Sequence, residues 1–352
     1  SSGHAVTRQL ESKGIKYGSI TANSNGSVDT SNVQGVNPDL RVRPLFAHGA
    51  TISIREFVVG ALNDEMGLQA VDPDLTLAHA GGLVTTPSGM VLDGSKDQIN
   101  GPPATAGSDP DGDGKVDEIP QSIVDHLEFY LLNYFKAGIY EETNDTKKGR
   151  KLFEKIGCAR CHIPDLQINH DRRVADVETV FDPARGIFNG LFATAAGRFN
   201  SIDDGSGFPT FKLPQGNSFL VKNIFTDFKR HDLGPNFWER TYDGDLRKQF
   251  LTTALWGVGT TPSYGHDGRS INLTEVILRH GGEAVGEAAA FEKLSDPERG
   301  TVLSFLQSLV LFPPDDTASN LDPGDRNAAN FPQNGHGSIK LGVLFNNPSD
   351  GE

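Results

Sequence analysis

The stretch that most constrains this chain is Cys158-Ala159-Arg160-Cys161-His162, which contains the only two cysteines of the sequence. Its C-x-x-C-H spacing is the attachment signature of a c-type haem. Two thiols three positions apart can each bond one vinyl group of the same porphyrin, and the next residue is then placed to ligate the iron. A redox dithiol or half of a zinc site are the alternatives, but the sequence has no second C-x-x-C. The stretch therefore predicts haem c anchored by Cys158 and Cys161, with His162 as proximal ligand.

Charge and hydropathy limit the classes of partner. The formal net charge is −14, whereas nucleic-acid binding needs a basic surface, so we expect no nucleic-acid partner. A basic redox partner protein is consistent with this charge, as is a purely solubilising role. No apolar run approaches the length of a transmembrane segment. Covalent haem attachment predicts a periplasmic or extracellular location, and a start at Ser1 without a signal peptide is typical of a processed or truncated chain.

Helical periodicity and capping residues predict a mainly α fold, with a cytochrome c-like haem domain rich in long loops. The predicted helices run over residues 53–66, 120–138, 145–156, 273–279 and 295–312. Residues 1–40 are interpreted as an irregular arm, with a short strand as an alternative for part of it, and residues 67–107 as a linker, which makes the N-terminal region loop-rich and only partly helical. The predicted domains are an N-terminal region (1–140), a haem domain (141–314) and a polar C-terminal tail (315–352).

An acidic loop at residues 109–118 resembles the first nine places of a calcium-binding loop. Gly114 stands at the sixth place, and Pro120 stands at the twelfth, where a bidentate glutamate is expected. Glu118 or a residue from elsewhere would have to complete the shell, and a solvated acidic turn is the alternative. The candidate calcium ligands are Asp109, Asp111, Asp113, Lys115 (through its carbonyl) and Asp117.

Elimination narrows the candidates for the second axial ligand of the haem. Met66 and Met90 both precede the motif, so a haem closed by a downstream methionine is excluded. The histidines after the motif are His170, His231, His266, His280 and His336. His280 precedes two glycines, which let the backbone pass close to a flat macrocycle, and this ranks it slightly ahead of His266 and His231. A hydrogen-bonded surface or core histidine is the alternative for each.

Several stretches resemble known haem proteins. Residues 148–162 look like the helix and haem site of a class I cytochrome c domain. Residues 225–235, 255–257, 262–269 and 280–284 are similar to the di-haem oxidoreductases, which are related to bacterial cytochrome c peroxidases. The resemblance covers roughly residues 40–312. It implies His280 as distal ligand of a bis-His, low-spin, low-potential haem, with His266 and Arg269 supporting the haem or its propionates.

The family carries two C-x-x-C-H motifs, whereas this chain carries one, so the N-terminal region is interpreted as the remnant of, or partner to, a first haem domain. The resemblance favours a haem domain that passes electrons to another cytochrome or haem domain. A peroxidase-like enzyme with an open or labile iron is the alternative, with His231, His266 or Tyr264 as acid–base groups. A third hypothesis is a calcium-stabilised structural haem subunit of a surface redox assembly.

Overall fold

The structure is a computed structural model that describes residues 3–88, 90–133, 136–139, 142–168, 199–202, 211–214, 219–241 and 243–312. The described residues form two compact units. The first unit contains residues 3–133, 167–168, 199–202, 211–214 and 219–220, and the second contains residues 136–166 and 221–312. His170, His336 and the predicted tail 315–352 lie outside the described residues.

A three-stranded antiparallel sheet forms the start of the first unit, where the sequence predicted an irregular arm. Its strands, in the order β1-β2-β3, are β1 (Val6–Ser12), β2 (Ile15–Ala22) and β3 (Val28–Asp29). Lys13 and Gly14 connect β1 to β2 with φ values of 55° and 76°. Positive φ at both positions is what a two-residue hairpin turn of type I′ requires. Leu10, Ile15 and Tyr17 are buried, so the sheet has one apolar face.

Helices and a hairpin enclose the core of the first unit. They are α1 (Ile54–Asp64), α2 (Pro73–His79), β4 (Leu83–Thr85), β5 (Val91–Asp93) and α3 (Gln121–Asn133). Ser53 and Glu56 form the predicted capping box, in which each side chain accepts a hydrogen bond from the other's backbone N–H. The buried apolar residues of this core include Val58, Val59, Leu62, Leu75, Ala78, Leu92 and Val124. The capping box fixes where α1 begins and therefore which of its residues face this core.

From residue 136 onward the chain alternates short strands with short helices. The strands are β6 (Lys136–Ile139), β7 (Leu166–Ile168), β8 (Phe199–Ile202), β9 (Phe211–Pro214), β10 (Phe219–Val221), β11 (Arg230–Asp232), β12 (Glu239–Arg240), β13 (Leu246–Arg247), β14 (Gln249–Leu251) and β15 (Leu309–Phe312). The helices are α4 (Asn144–Lys155), α5 (Leu273–Arg279), α6 (Val285–Glu292) and α7 (Asp296–Gln307), with 3₁₀ turns at Cys158–Arg160 and Gly282–Ala284. Antiparallel pairs join β6 to β15, β8 to β9, β11 to β14 and β12 to β13.

Helices α4 and α7 make the central contact of the second unit. A Cβ atom at Gly149 would lie 1.9 Å from the carbonyl oxygen of Thr301 and 2.8 Å from Cβ of Phe305, so the glycine lets the two helix backbones approach closely. The apolar core around the crossing contains Phe153, Phe225, Leu273, Phe291, Val302, Phe305, Leu306 and Leu309. This core lies directly beside the cysteine motif that follows α4.

The predicted mainly α class is wrong, because the structure is 30% helical and 19% strand with several small sheets. Most strands are two to four residues long, too short for their alternation to register as a pattern. The helix predicted to reach residue 138 ends at Asn133, because residues 136–139 pair with β15 instead. The same pairing ends the last helix at Gln307. The predicted helix over residues 273–279 is confirmed, with Asn272 as its N-cap.

Across the part of the chain that the structure describes, no helix is both long enough and apolar enough to cross a bilayer.

Candidate haem site

The cysteine motif follows directly on helix α4. Gly157 takes a φ of 99°, a left-handed conformation that favours glycine, and so turns the chain out of the helix. Cys158–Arg160 form a 3₁₀ turn, and the carbonyl oxygen of Cys158 accepts a hydrogen bond from the N–H of His162 at 3.0 Å. Both thiols are free and half-buried, and burial raises the pKa of the Cys158 thiol to about 11. The turn therefore presents two unbridged thiols and a histidine within one short segment.

The imidazole of His162 is oriented by a backbone carbonyl. Its Nδ1 lies 2.9 Å from the carbonyl oxygen of Phe225. Because a carbonyl oxygen can only accept, Nδ1 carries the proton and Nε2 holds the lone pair of the neutral ring. Burial lowers the pKa of His162 to about 4, against the opposing hydrogen bond to Phe225, so the ring is neutral at pH 7. A neutral ring whose other nitrogen donates to a carbonyl is the usual arrangement of a metal-ligating histidine.

Three aromatic rings hold the carbonyl that orients His162. Phe153 of α4, Phe225 and Phe305 of α7 meet edge to face, with ring centroids 5.4–5.9 Å apart. Phe225 is fully buried, and the guanidinium of Arg150 lies 5.3 Å from its ring centroid. Edge-to-face pairs of this kind each add about 0.5–1.5 kcal/mol beyond their buried area. The crossing of α4 and α7 thereby positions the candidate proximal ligand.

His280 has the same arrangement as His162. It follows the last residue of α5, and its Nδ1 lies 2.7 Å from the carbonyl oxygen of Val276, which again leaves the lone pair on Nε2. Burial lowers the pKa of His280, so this ring too is neutral at pH 7. A positive charge on His280 would add to the lowering of the His162 pKa, so the two rings lie in the same part of the second unit. The fold thus brings together two neutral histidines that are 118 positions apart in sequence.

A close backbone crossing fixes the position of His280. The N–H of Gly281 donates to the carbonyl oxygen of Leu233 at 2.9 Å. Gly282 takes a φ of 50°, and a Cβ atom there would lie 2.1 Å from the carbonyl oxygen of Asp232. The two glycines, which were expected to let the backbone approach a macrocycle, contact the end of β11 and the residue that follows it.

His231 of β11 lies beside the cysteine motif. Its ring, the carboxylate of Asp227 and the sulfur of Cys161 each offer a ligand atom, and these atoms lie within 4.8 Å of one another. The set Cys161, Asp227 and His231 suits a metal ion only while the sulfur is a free thiolate. Attachment of Cys161 to a porphyrin would remove that ligand and leave His231 with its carboxylate partner.

His266 and Arg269 lie in the segment between β14 and α5 of the second unit. The ring of His266 stacks on Phe250 with centroids 3.9 Å apart, and its Nε2 lies 3.2 Å from a carboxylate oxygen of Glu239. The side chain of Arg269 is 60% exposed and pairs with Asp267 at 2.5 Å. The ring of Phe237 lies near both His266 and His280, at centroid distances of 6.0 and 5.2 Å.

The acidic loop brings together three of its candidate calcium ligands, Asp109, Asp111 and Asp113. Asp109 accepts hydrogen bonds from the N–H groups of Gly112 and Gly114, at 2.8 and 3.0 Å. Of the other candidates, Lys115 donates its backbone N–H to Asp113, and Asp117 accepts a hydrogen bond from the N–H of Gly107. Glu118, proposed to complete the shell, accepts instead from the N–H of Gln69 at 2.8 Å.

Comparison with known families gives one match. The family described as "Di-haem oxidoreductase, putative peroxidase" matches residues 202–309. This segment is similar to the di-haem oxidoreductases. The resemblance seen in the sequence is thereby confirmed over a stretch that contains His231, His266 and His280 and that begins after the cysteine motif. Searches among curated proteins and among solved structures gave no match.

The residues of the site fit a covalently bound haem. Two free thiols on one turn, a neutral His162 behind them and a neutral His280 within electrostatic range form the donor set that a c-type haem takes. The family match supports haem as the cofactor, because the di-haem oxidoreductases are named for it.

Sequence reasoning missed two parts of this site. The carbonyl of Phe225 has no sequence signature, since every residue carries a carbonyl group and only the fold selects one. Glu283 lies within residues 280–284, which resemble the family, but it was assigned no role. Its carboxylate contacts both His231 and the N–H of Asp232. The only sequence signal for Glu283 was its position directly after Gly281 and Gly282. That position does not show which histidine its carboxylate contacts.

Proposed function

We propose that this chain is an electron-transfer protein, or the electron-transfer domain of a di-haem oxidoreductase, with one c-type haem ligated by His162 and His280. One observation carries the proposal. Both imidazoles donate Nδ1–H to a backbone carbonyl, of Phe225 and of Val276, and so both hold their lone pair on Nε2. An exposed histidine outside the site, His79, makes a similar hydrogen bond, so the position of His162 directly after the two thiols also supports the assignment.

The roles of the individual residues follow from their contacts. Cys158 and Cys161 would anchor the porphyrin through thioether bonds, and the Phe153, Phe225 and Phe305 rings would hold the proximal side rigid. Bound there, the haem would supply a one-electron Fe(III)/Fe(II) couple. With a histidine on each side of the iron, no axial position would be left for a substrate, which favours outer-sphere electron transfer over substrate binding at the iron.

Peroxide reduction is the second candidate function, and the family description favours it because it names a peroxidase. In that case His280 would be labile and would free one axial position. His231, His266 or Tyr264 would then move protons. Both nitrogens of His231 already face carboxylates, which supports a fixed charge at this residue over a proton-shuttling role.

Three further proposals accompany the function. Asp109, Asp111 and Asp113 bind calcium, supported by their shared cluster and by backbone N–H groups that preform the loop. The protein works in the periplasm or outside the cell, supported by the haem-attachment motif. Its partner is another cytochrome or haem domain, supported by the di-haem nature of the family.

The axial assignment is tested by electron paramagnetic resonance of the ferric protein, with the haem content per chain measured on the same sample. The wild-type protein is expected to contain one haem and to give a single low-spin signal. His280→Ala removes one axial ligand and is expected to convert that signal to high spin without loss of haem, because the thioether bonds remain.

The matched control is His79→Ala. His79 belongs to the first unit, and its Nδ1 likewise lies 2.7 Å from a backbone carbonyl, that of Ile99. This variant is expected to keep the low-spin signal. A wild-type high-spin signal that changes on addition of peroxide would refute bis-histidine electron transfer and favour the peroxidase.

A further inference from the structure

His231 is held at both ring nitrogens by carboxylates. Its Nε2 lies 2.8 Å from Oδ2 of Asp227, and its Nδ1 lies 2.8 Å from Oε2 of Glu283. Carboxylate oxygens of ionised groups can only accept, so both ring nitrogens must carry hydrogen, and an imidazole with two N–H groups is a cation. With both carboxylates ionised, this geometry makes His231 an imidazolium.

A positive charge on His231 is unusual because the side chain is buried. The side chain of His231 is 8% exposed and that of Asp227 is 3% exposed, whereas that of Glu283 is 50% exposed. A buried cation is stable only when it is paired and hydrogen-bonded. Burial would lower the pKa of His231, but the hydrogen bond to Asp227 opposes this effect and raises the pKa. Hydrogen bonds from His231 and from the N–H of Asp232 lower the pKa of Glu283, again against burial.

The position of the cation relates it to the attachment motif. Ligand atoms of His231 and Asp227 lie within 4.8 Å of the Cys161 sulfur. Asp227 also follows Phe225, whose carbonyl orients His162, by two residues, and it accepts a hydrogen bond from the N–H of Lys229. The charged group thus belongs to the same loop that holds the proximal histidine.

We infer that His231 is a permanently charged positioning residue that sets the reduction potential of the haem through the net charge it shares with Asp227 and Glu283. The inference rests on the proposed function. The imidazolium and the two carboxylates together carry one net negative charge next to the Cys161 attachment point. A positive charge near the iron favours the ferrous state and a negative charge favours the ferric state.

Charge-changing variants give shifts of opposite sign. His231→Gln removes the cation and leaves two carboxylates, so the midpoint potential is expected to fall. Glu283→Gln removes one carboxylate from the half-exposed side of the cluster, so the potential is expected to rise. The double variant His231→Gln/Glu283→Gln restores the original net charge, and its potential is expected to return to within error of wild type. His79→Gln, which changes a histidine of the first unit, serves as the control.

A structural role for His231 predicts a different result. Loosening of the loop would admit water around the haem in each variant, so both single variants would shift in the same direction and the double variant would shift furthest. That pattern would overturn the inference. If His231→Gln does not fold, Glu283→Gln alone still distinguishes the cases, because only a charge effect raises the potential.

A second measurement reads the protonation state directly. In the ferrous, diamagnetic protein, ¹⁵N NMR is expected to show both ring nitrogens of His231 protonated at pH 7. A haem-loaded protein with a neutral His231 would refute the inference and leave the proposed function intact. A preparation without covalent haem would refute the proposed function and the inference together.

Discussion

At the scale of single residues, Asp267 links the loop before α5 to Arg279, the last residue of that helix. Its carboxylate lies 2.7 Å from Nη2 of Arg279 and 2.5 Å from Nε of Arg269. Burial alone would raise the pKa of Asp267, but the hydrogen bonds from Arg279 and Arg269 outweigh it and hold the pKa below the ordinary value of 3.8. The folded chain therefore stabilises the ionised form of Asp267 more than the unfolded chain does.

Asp267→Asn is expected to lower the free energy of unfolding by about 2 kcal/mol at pH 7, the range for hydrogen bonds to charged groups. A depressed folded-state pKa stabilises the protein above the unfolded pKa and loses its effect as the pH falls through the folded pKa. The difference between variant and wild type should be constant from about pH 5 to 8 and narrow below about pH 4. Urea denaturation followed by circular dichroism at each pH measures it.

The two arginines provide the control for this prediction. Arg279 is 18% exposed and its guanidinium lies 4.5 Å from the ring centroid of Phe237, whereas Arg269 is 60% exposed. Arg279→Gln should therefore cost clearly more stability than Arg269→Gln, for which about 0.5 kcal/mol is expected. Equal effects of the two substitutions, or an Asp267→Asn difference that does not narrow between about pH 4 and pH 2, would contradict the ion-pair explanation.

At the scale of elements, the crossing of α4 and α7 depends on one glycine. The close approach of Gly149 to Thr301 and Phe305 leaves no room for a methyl group. Gly149→Ala is expected to lower the free energy of unfolding by about 1–3 kcal/mol, because the helices must separate to admit it. Denaturant unfolding measures the loss, and the same displacement should disturb the Phe153–Phe305 contact beside His162.

Gly300 is the matched control, since it lies inside α7 with open space around the position of a Cβ atom. Gly300→Ala should raise the free energy of unfolding by about 0.5–1 kcal/mol through helix propensity alone. If both alanine substitutions stabilise the protein, the close crossing of the two helices is wrong.

What the sequence could predict at this scale depends on how local the signal is. The capping box at Ser53 and Glu56 placed the start of α1 correctly, because its hydrogen bonds form within one turn. The end of α3 was misjudged, because residues 136–139 pair with residues 309–312, at least 170 positions away. Pairing over such a distance leaves no mark in a short window of sequence, and short strands of this kind make up the strand content that the mainly α prediction omitted.

At the scale of the whole molecule, the two candidate ligand sites differ in whether their residues lie close together in the sequence. The candidate calcium loop is a local motif, and the structure brings its first three aspartates together. In the haem site the thiols and His162 are local, whereas His280, Asp227 and Glu283 come from distant segments. Family resemblance singled out His280, and only the fold revealed the carboxylates around His231.

The two ligands therefore belong to different units, and each is expected to protect its own. Hydrogen exchange followed by mass spectrometry is the measurement. Calcium should slow exchange at the Gly112 and Gly114 amides, which donate to Asp109, and leave the second unit unchanged. Replacing both cysteines by alanine, which prevents haem attachment, should speed exchange around residues 153–162 and 223–233, because the haem no longer fills the site that these segments surround.

Paired aspartate variants make the calcium effect specific. Asp113→Asn should abolish the protection by calcium, because Asp113 belongs to the three-carboxylate cluster. Asp145→Asn should retain it, because Asp145 is an exposed residue of α4 whose carboxylate pairs with Lys148. Calcium that protects both variants equally would show nonspecific binding to an acidic chain of net charge −14, and the loop would then be a solvated turn. Because exchange is read peptide by peptide, the two ligand effects can be assigned independently within one protein.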